Sequence, residues 1–588
     1  MAAAHQLHVH AVLLLAPRTI PKTSSGKLQR YLCRQMYSEA TDESALFHLA
    51  DPPGAAATAT GETAGSQSAQ ASQQAADSRR ARVIQRIRAY LREHTGVATI
   101  EPTTSVFALG LDSLGLAEAQ TWLEDELGVS LPPGFAWNHA TPAAMADYID
   151  SHWATLARPS GASTPITATG TETATGGNGA ATAVAEHSEL PLSSGQRRLW
   201  FLDRLVPGVP VYNMVFGLRM RGPMQRECLR RAMDALLARH PVLRSVFEGR
   251  DGQPRARILD RDQVTLTLDD RDISDSPESL REERLTEIAG ELGRKPFDLD
   301  RGPLLRAALV RLERDRHVLI VVQHHIISDG LSIHILARDL AAIYGALVAG
   351  APAPVPASTP PHYRDFIRHE QDALPGLARE RAFWTETLSG IPRLELPGDR
   401  TRALGSARAS ASIDVRGGTH TFALPGDLRR QLVEFSARHH CTPFVAILAG
   451  YAILLHRYTG QRDFGIGTVT ANRPPGFANV AGFFANTAVL RCRPTCALSA
   501  ADFVAALRET TVQALAHAAL PFEYMVNQLP SARSGDPQPL FQAALLFENL
   551  PRQVRRVGDM EWRPWSDIPD GSVRGTAKFD LTLIVDMG

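Results

Sequence analysis

Gln323-His324-His325-Ile326-Ile327-Ser328-Asp329-Gly330 brings two imidazoles and a carboxylate together ahead of a glycine. A histidine with an unperturbed pKa of about 6.5 can take a proton from an attacking amine near neutral pH. Gly330 leaves room for backbone and substrate to approach. A buried Asp329 is costly without a partner, so a cation is expected beside it. Metal binding is the competing chemistry. If His324 and His325 continue a strand, their side chains point to opposite faces and cannot share one ion. No further ligand set accompanies them, so the pattern predicts no metal. Two readings of the pair stay open: structural core histidines, or one imidazole held inside and the other facing a substrate channel.

Two other residues invite chemistry. Ser113 lies in Phe107-Ala108-Leu109-Gly110-Leu111-Asp112-Ser113-Leu114, where a helix begins. Unpaired N–H groups and the positive dipole end favour a phosphodiester there, although Asp112 or Ser113 could equally cap the helix. Lys27 stands at the tip of a Ser25-Gly26 turn within Pro21-Lys22-Thr23-Ser24-Ser25-Gly26-Lys27-Leu28-Gln29-Arg30. The spacing is not that of a phosphate-binding loop, and no βαβ unit follows.

The elements that must position these residues are legible around them. Val318-Leu319-Ile320-Val321-Val322 is a continuous apolar run, as in a buried strand. Ile333, Leu336, Leu340, Ile343 and Leu347 step by three and four, which is one face of a helix. The histidines therefore belong to a strand-to-helix turn in a layered α/β domain. Around Ser113, Val83, Ile84, Ile87, Tyr90 and Leu91 predict one helix, Leu116, Ala119, Leu123 and Leu127 a second, and Met145, Tyr148 and Ile149 a short last one. This is a small α-helical bundle over 79–156.

At 588 residues the chain is multidomain. Segments 51–78 and 157–188 are rich in Ala, Thr, Gly, Gln and Ser without apolar periodicity, and read as flexible linkers. Such a coil spans on the order of 30 Å. They leave a piece over 1–50, too short for an independent core, the bundle, and a large block over 189–588. The short piece reads as the tail of something larger.

Lys plus Arg and Asp plus Glu both number 62, so nothing in the charge favours nucleic acid or an anionic membrane. The five cysteines, Cys33, Cys228, Cys441, Cys492 and Cys496, show neither a disulfide framework nor metal spacing, which fits a reducing cytoplasm. The run Ala11–Ala16, ended by Pro17, reads as a strand because no basic segment precedes it. No apolar stretch reaches the roughly 18 residues of a membrane span. The expectation is a cytoplasmic protein.

Three resemblances follow. The Phe-x-x-Leu-Gly-Leu-Asp-Ser-Leu run through Ser113 resembles the attachment site of acyl carrier proteins. That implies covalent 4′-phosphopantetheine on Ser113, installed by a phosphopantetheinyl transferase. The segment around Lys27 resembles the last motif of fatty acyl-AMP ligases, whose matching lysine serves adenylation; here the nucleotide pocket is absent. His324-His325-x-x-x-Asp329-Gly330 resembles the signature of condensation domains of nonribosomal peptide synthetases. The flanking motifs match in order. They are Leu192–Trp200, Arg239–Phe247, Tyr363–Phe366, Ile466–Arg473 with Gly482–Thr487, Pro521–Tyr524 with Pro539–Gln542, and Lys578–Leu581.

The last resemblance implies two αβα sandwich lobes related to chloramphenicol acetyltransferase, over about 189–360 and 361–588, forming a V-shaped pseudodimer. Two pantetheine arms would meet near His325 in a tunnel between them, and Asp329 would pair with Arg244. Asn472 and Asn486 are either channel residues or capped turns. Family members usually continue past the last motif, so final elements of the second lobe are expected beyond the end of this chain. The order of stub, carrier and condensation domain implies lipoinitiation. An upstream acyl-AMP ligase supplies a fatty acyl group to Ser113, and a downstream aminoacyl carrier accepts it. Rival expectations are an epimerizing or ester-forming relative and a non-catalytic docking platform.

Overall fold

The computed structural model describes residues 12–15, 45–49, 65–95, 97–109, 113–129, 131–132, 135–156, 189–250, 252–354, 361–398, 417–474, 476–495, 497–528, 540–548, 554–565 and 576–587. It divides after Ser78 into two units. In the first, the apolar Val12–Leu15 forms strand β1, paired antiparallel with β2 (Ala45–Leu49) from Val12 opposite Leu49. Lys27, Cys33 and the expected linker 157–188 lie outside the described residues.

The expected linker over 51–78 is corrected in part, because Gly65–Thr95 is one helix, α1. The lack of an apolar stripe denies such a segment a core but does not forbid a helix. Its Ala and Gln are strong helix formers. Farther along α1, Val83, Ile84, Ile87 and Leu91 are buried with Phe107, Leu116, Leu123, Met145 and Ile149. Leu116 and Leu123 belong to α2 (Ser113–Leu127), and Met145 and Ile149 to α3 (Pro142–Ser151). Tyr90 stacks on Trp122 with ring centroids 4.5 Å apart. The Thr141 hydroxyl accepts from Ala144 N at 3.1 Å and caps α3. The helical bundle is as the periodicity predicts.

The large block is organised by two large sheets. Its first sheet has six strands. In chain order they are β3 (Asn213–Arg221), β4 (Leu268–Asp272), β5 (Leu305–Glu313), β6 (Arg316–His324), β10 (Arg555–Val557) and β11 (Met560–Pro564). In space they run β10-β11-β3-β6-β5-β4. The apolar run in β6 has no alternation because both faces are covered. Leu319 and Val321 face one core, built with α4 (Ser194–Leu205), α5 (Arg226–Arg239), α7 (Gly330–Val348) and α8 (Tyr363–Ala373). Val318, Ile320 and Val322 face another layer, with Leu285, Ala289 and Leu292 of α6 (Glu278–Arg294). The second sheet is β8 (Asn486–Cys492), β7 (Phe464–Thr470), β9 (Ala543–Glu548) and β12 (Leu581–Asp586), in that order. It packs beneath α9 (Pro443–Thr459) and α10 (Ala500–Ala516). Val512 and Leu515 of α10 also pack against the core of the helical bundle.

The lobes are not divided cleanly near 360. Tyr363, Phe366 and Ile367 of α8 lie in the first core, as do Phe477, Val480, Phe483 and Phe484 from the loop between β7 and β8. Strand β11 pairs antiparallel with β3, so a distant segment completes the first sheet. The second lobe thus lends the first a piece of its interior.

Helix α7 is long and apolar enough to cross a membrane, against the sequence expectation. Here it serves the core, burying Ile335, Leu336, Leu340, Ile343 and Tyr344. The pair formed by Gly426–Arg438 and α9 also meets the length and composition requirement, bent by 105°.

Candidate active site

Strand β6 ends at His324, and His325 opens a short 3-10 turn through Ile327. The two side chains part because the backbone turns, not because a pleat continues. His324 is 5% exposed, and its Nδ1 accepts from Ile326 N at 3.2 Å. Burial, with positive charge from His325 and Lys578, pushes its pKa down to about 3. It is a structural histidine, capping its own turn.

His325 is half-buried, and its Nδ1 lies 2.8 Å from the Ser328 carbonyl. A carbonyl can only accept, so Nδ1 carries the proton and Nε2 presents a lone pair. Burial first, then Lys578, lowers the His325 pKa to about 4, opposed by the Ser328 carbonyl and Asp329. The imidazole is therefore neutral at pH 7. Its ring meets Phe483 edge to face, with centroids 4.9 Å apart.

The turn is braced from three sides. Gln196 donates to the Ile326 carbonyl at 3.0 Å while its Oε1 accepts from Ser193 N at 3.3 Å, closing a capping box on α4. The Tyr363 hydroxyl donates to the Phe483 carbonyl and lies 3.0 Å from Ser193 Oγ. Phe483 leaves no room at Gly195, where a Cβ would come within 2.8 Å of the ring. The opening motif thus holds the histidine turn from beneath.

Asp329 is 4% exposed and caps α7 by accepting from Ser332 N at 2.8 Å. It also accepts from Phe484 N at 3.0 Å. Its cation is Arg473, whose Nη2 lies 2.8 Å from Oδ1, with both side chains 6% exposed. The expected pairing with Arg244 is corrected. Arg244 instead donates to the carbonyls of Leu237 and Leu259, tying down the turn Pro241–Arg244. Asn472 explains how Arg473 reaches across, since its left-handed φ of 43° turns the chain after β7. Arg473 also donates to the carbonyls of Phe477 and Val480 and lies 4.1 Å over the Phe484 ring. One guanidinium joins the histidine turn to the loop of the other lobe.

The remaining expected residues divide simply. Ser113 is the first residue of α2, which bears no acidic residue in its first turn. Gly330 opens α7 directly after its cap. Asn486 donates to the carbonyls of Ala518 and Leu520 and accepts from Phe522 N, so it is a staple in the second lobe. Arg473 and Gln196 stood inside recognised motifs, yet the position of neither within its motif signals its partner.

The lowered histidines carry a pH consequence. His324, His325 and His334 have folded pKa values of about 3, 4 and 4, below the ordinary 6.5. Between these values and 6.5 the unfolded chain binds more protons, so stability is full above pH 6.5 and is lost on acidification toward 4. The melting temperature of the large block is expected to fall between pH 7 and 5, and to fall less in His334→Leu. Calorimetry at three pH values decides; a flat profile contradicts the assignment.

Residues 186–587 match the condensation-domain family, a span covering more than half of the chain. The chain belongs to that family. Residues 85–149, which include Ser113, match the phosphopantetheine attachment domain, so the cofactor of this condensation-domain protein is covalent 4′-phosphopantetheine on a serine. Phosphinothricin tripeptide synthetase PhsC of Streptomyces viridochromogenes is 39% identical over 67% of this chain and 36% of its own length. Chondramide synthase cmdD of Chondromyces crocatus is 35% identical over 67% of this chain and 10% of its own length. The condensation-domain chain thus spans a minor part of these relatives. Among solved structures, SgcC5 of Streptomyces globisporus is 29% identical with a TM-score of 0.58, covering 67% of this chain and 90% of that protein. The X-domain from teicoplanin biosynthesis is 26% identical with a TM-score of 0.56, covering 68% and 86%.

Proposed function

We propose that this chain moves a fatty acyl group from phosphopantetheine on Ser113 to the amine of an aminoacyl group on a downstream carrier, forming an amide. The observation that carries this reading is the neutral His325, held by the Ser328 carbonyl with Nε2 unprotonated. The residues suit the cofactor. A helix start at Ser113 free of acidic residues in its first turn offers a positive dipole end to a phosphodiester. When bound, the arm supplies a thioester, an acyl donor already activated.

The chain's own residues then have two tasks. Holding amine and carbonyl in attack geometry contributes roughly 7–11 kcal/mol in favourable systems. His325 Nε2 accepts an N–H of the attacking amine and orients its lone pair. With a pKa of about 4, it does not take a proton from a resting ammonium, so the acceptor must arrive as the free amine.

Fatty acyl supply rests on the motif around Lys27 and on an upstream acyl-AMP ligase, with a phosphopantetheinyl transferase loading the arm in the cytoplasm. Support comes from a relative, the isonitrile lipopeptide synthase of Mycobacterium tuberculosis, 34% identical over 64% of this chain. Ester formation is a second reading, favoured because SgcC5 is seen in complex with a diol. Chain loaded at Ser113 with fatty acyl or aminoacyl groups, mixed with amine or hydroxyl acceptors and followed by mass spectrometry, tests both. Fatty amide is the expected product. Transfer of aminoacyl groups alone overturns the lipoinitiating role.

A further inference from the structure

Lys578 stands in the last of the matched motifs, yet the transfer chemistry so far gives it no task. Its neighbours are fixed to the second lobe. Ala577 is packed so closely on Gly417 that a Cβ there would lie 2.5 Å from the alanine methyl. Phe579 packs on Phe541 with centroids 5.0 Å apart, and Asp580 lies 3.8 Å from Arg393. Lys578 itself is exposed and reaches the first lobe, with Nζ 5.8 Å from the ring centroid of Tyr212. The Tyr212 ring lies 6.4 Å from that of His324, beside the half-buried His325. A cation carried by one lobe therefore stands over a ring of the other lobe that neighbours the histidine pair.

The chemistry at His325 leaves a place for such a cation. Nε2 is a lone pair and Phe483 is a hydrocarbon ring, so neither can stabilise an oxygen that gains negative charge. We propose that Lys578 is the cation that offsets the negative charge formed on the acyl carbonyl oxygen as the amine adds beside His325. This rests on the transfer reading above. The amine lone pair adds to the carbonyl carbon, the carbonyl π pair moves onto oxygen facing the ammonium, and an N–H proton passes to Nε2. The carbon–sulfur bond then breaks, and the departing sulfur takes that proton from His325. Amine and thioester become amide and thiol.

The same placement has a consequence that turnover does not report. The groups bearing on His325 are Lys578, which opposes its protonation, Asp329 and the Ser328 carbonyl, which favour it, and neighbouring His324. Removing Lys578 should raise the pH at which His325 titrates, whether or not substrate is bound.

The test compares Lys578→Met and Lys578→Arg with the parent chain, loaded with acyl-phosphopantetheine. For Lys578→Met the turnover number should fall about 10²-fold, the size of effect seen on losing one oxyanion donor. The KM for the amine acceptor and the melting temperature should stay near those of the parent. Lys578→Arg should restore most of the rate. Imidazole NMR of histidine-labelled, unloaded protein should show the His325 signal titrating at higher pH in Lys578→Met. Parent-like turnover in Lys578→Met, or an unmoved His325 titration, overturns the proposal. An inactive parent takes down the transfer reading and this inference with it. An active parent matched by Lys578→Met defeats the inference alone.

Discussion

Arg473→Met is expected to destabilise the large block by about 3–5 kcal/mol, the cost of leaving a buried carboxylate without its counter-charge. Asp329 keeps its bonds from Ser332 and Phe484, but these do not replace a guanidinium when both partners are 6% exposed. The same change releases the carbonyls of Phe477 and Val480, so the loop that carries Phe483 against His325 loses its anchor. Urea unfolding should show the lower midpoint, and amide formation should weaken even at temperatures where the protein stays folded. Asp329→Asn in the Arg473→Met background should recover part of the loss, because the orphaned charge is then gone. If Arg473→Met matches the parent midpoint, the pair does not carry the junction between the lobes.

His325→Ala is expected to slow amide formation by about 10²–10⁴-fold while leaving the loading of Ser113 unchanged. The loss has two parts, an acceptor for the amine N–H and a station for its proton. His325→Gln separates them, since an amide oxygen accepts a hydrogen bond but holds no proton at neutral pH. A pKa of about 4 gives the first part substantial weight, and His325→Gln should recover about tenfold over alanine. Single-turnover measurement with pre-loaded carrier isolates the step. Equal rates for glutamine and alanine would place the whole effect in proton transfer, and a parent-like alanine variant would remove His325 from the reaction.

The chemistry was readable because it is local. An apolar run, two histidines and a helical stripe must form a strand, a turn and a helix, whatever packs on them. Ser113 at the head of α2 and the carrier core around Leu116 and Ile149 follow from the same short-range periodicity. The helix over 65–78 escapes a reading of the sequence for a related reason. A missing apolar stripe reports on burial and not on conformation.

Local sequence is enough to single out the candidate residues and the kinds of element that hold them, because side-chain periods of two and 3.6 are written into neighbouring positions. Tertiary structure alone decided who pairs with whom across hundreds of residues. It gave Asp329 to Arg473 and not to Arg244, sent β11 into the sheet of the other lobe, and set Lys578 over the ring of Tyr212. Such choices depend on which distant surfaces exclude water together and on where a buried charge finds its complement. No local spacing encodes them.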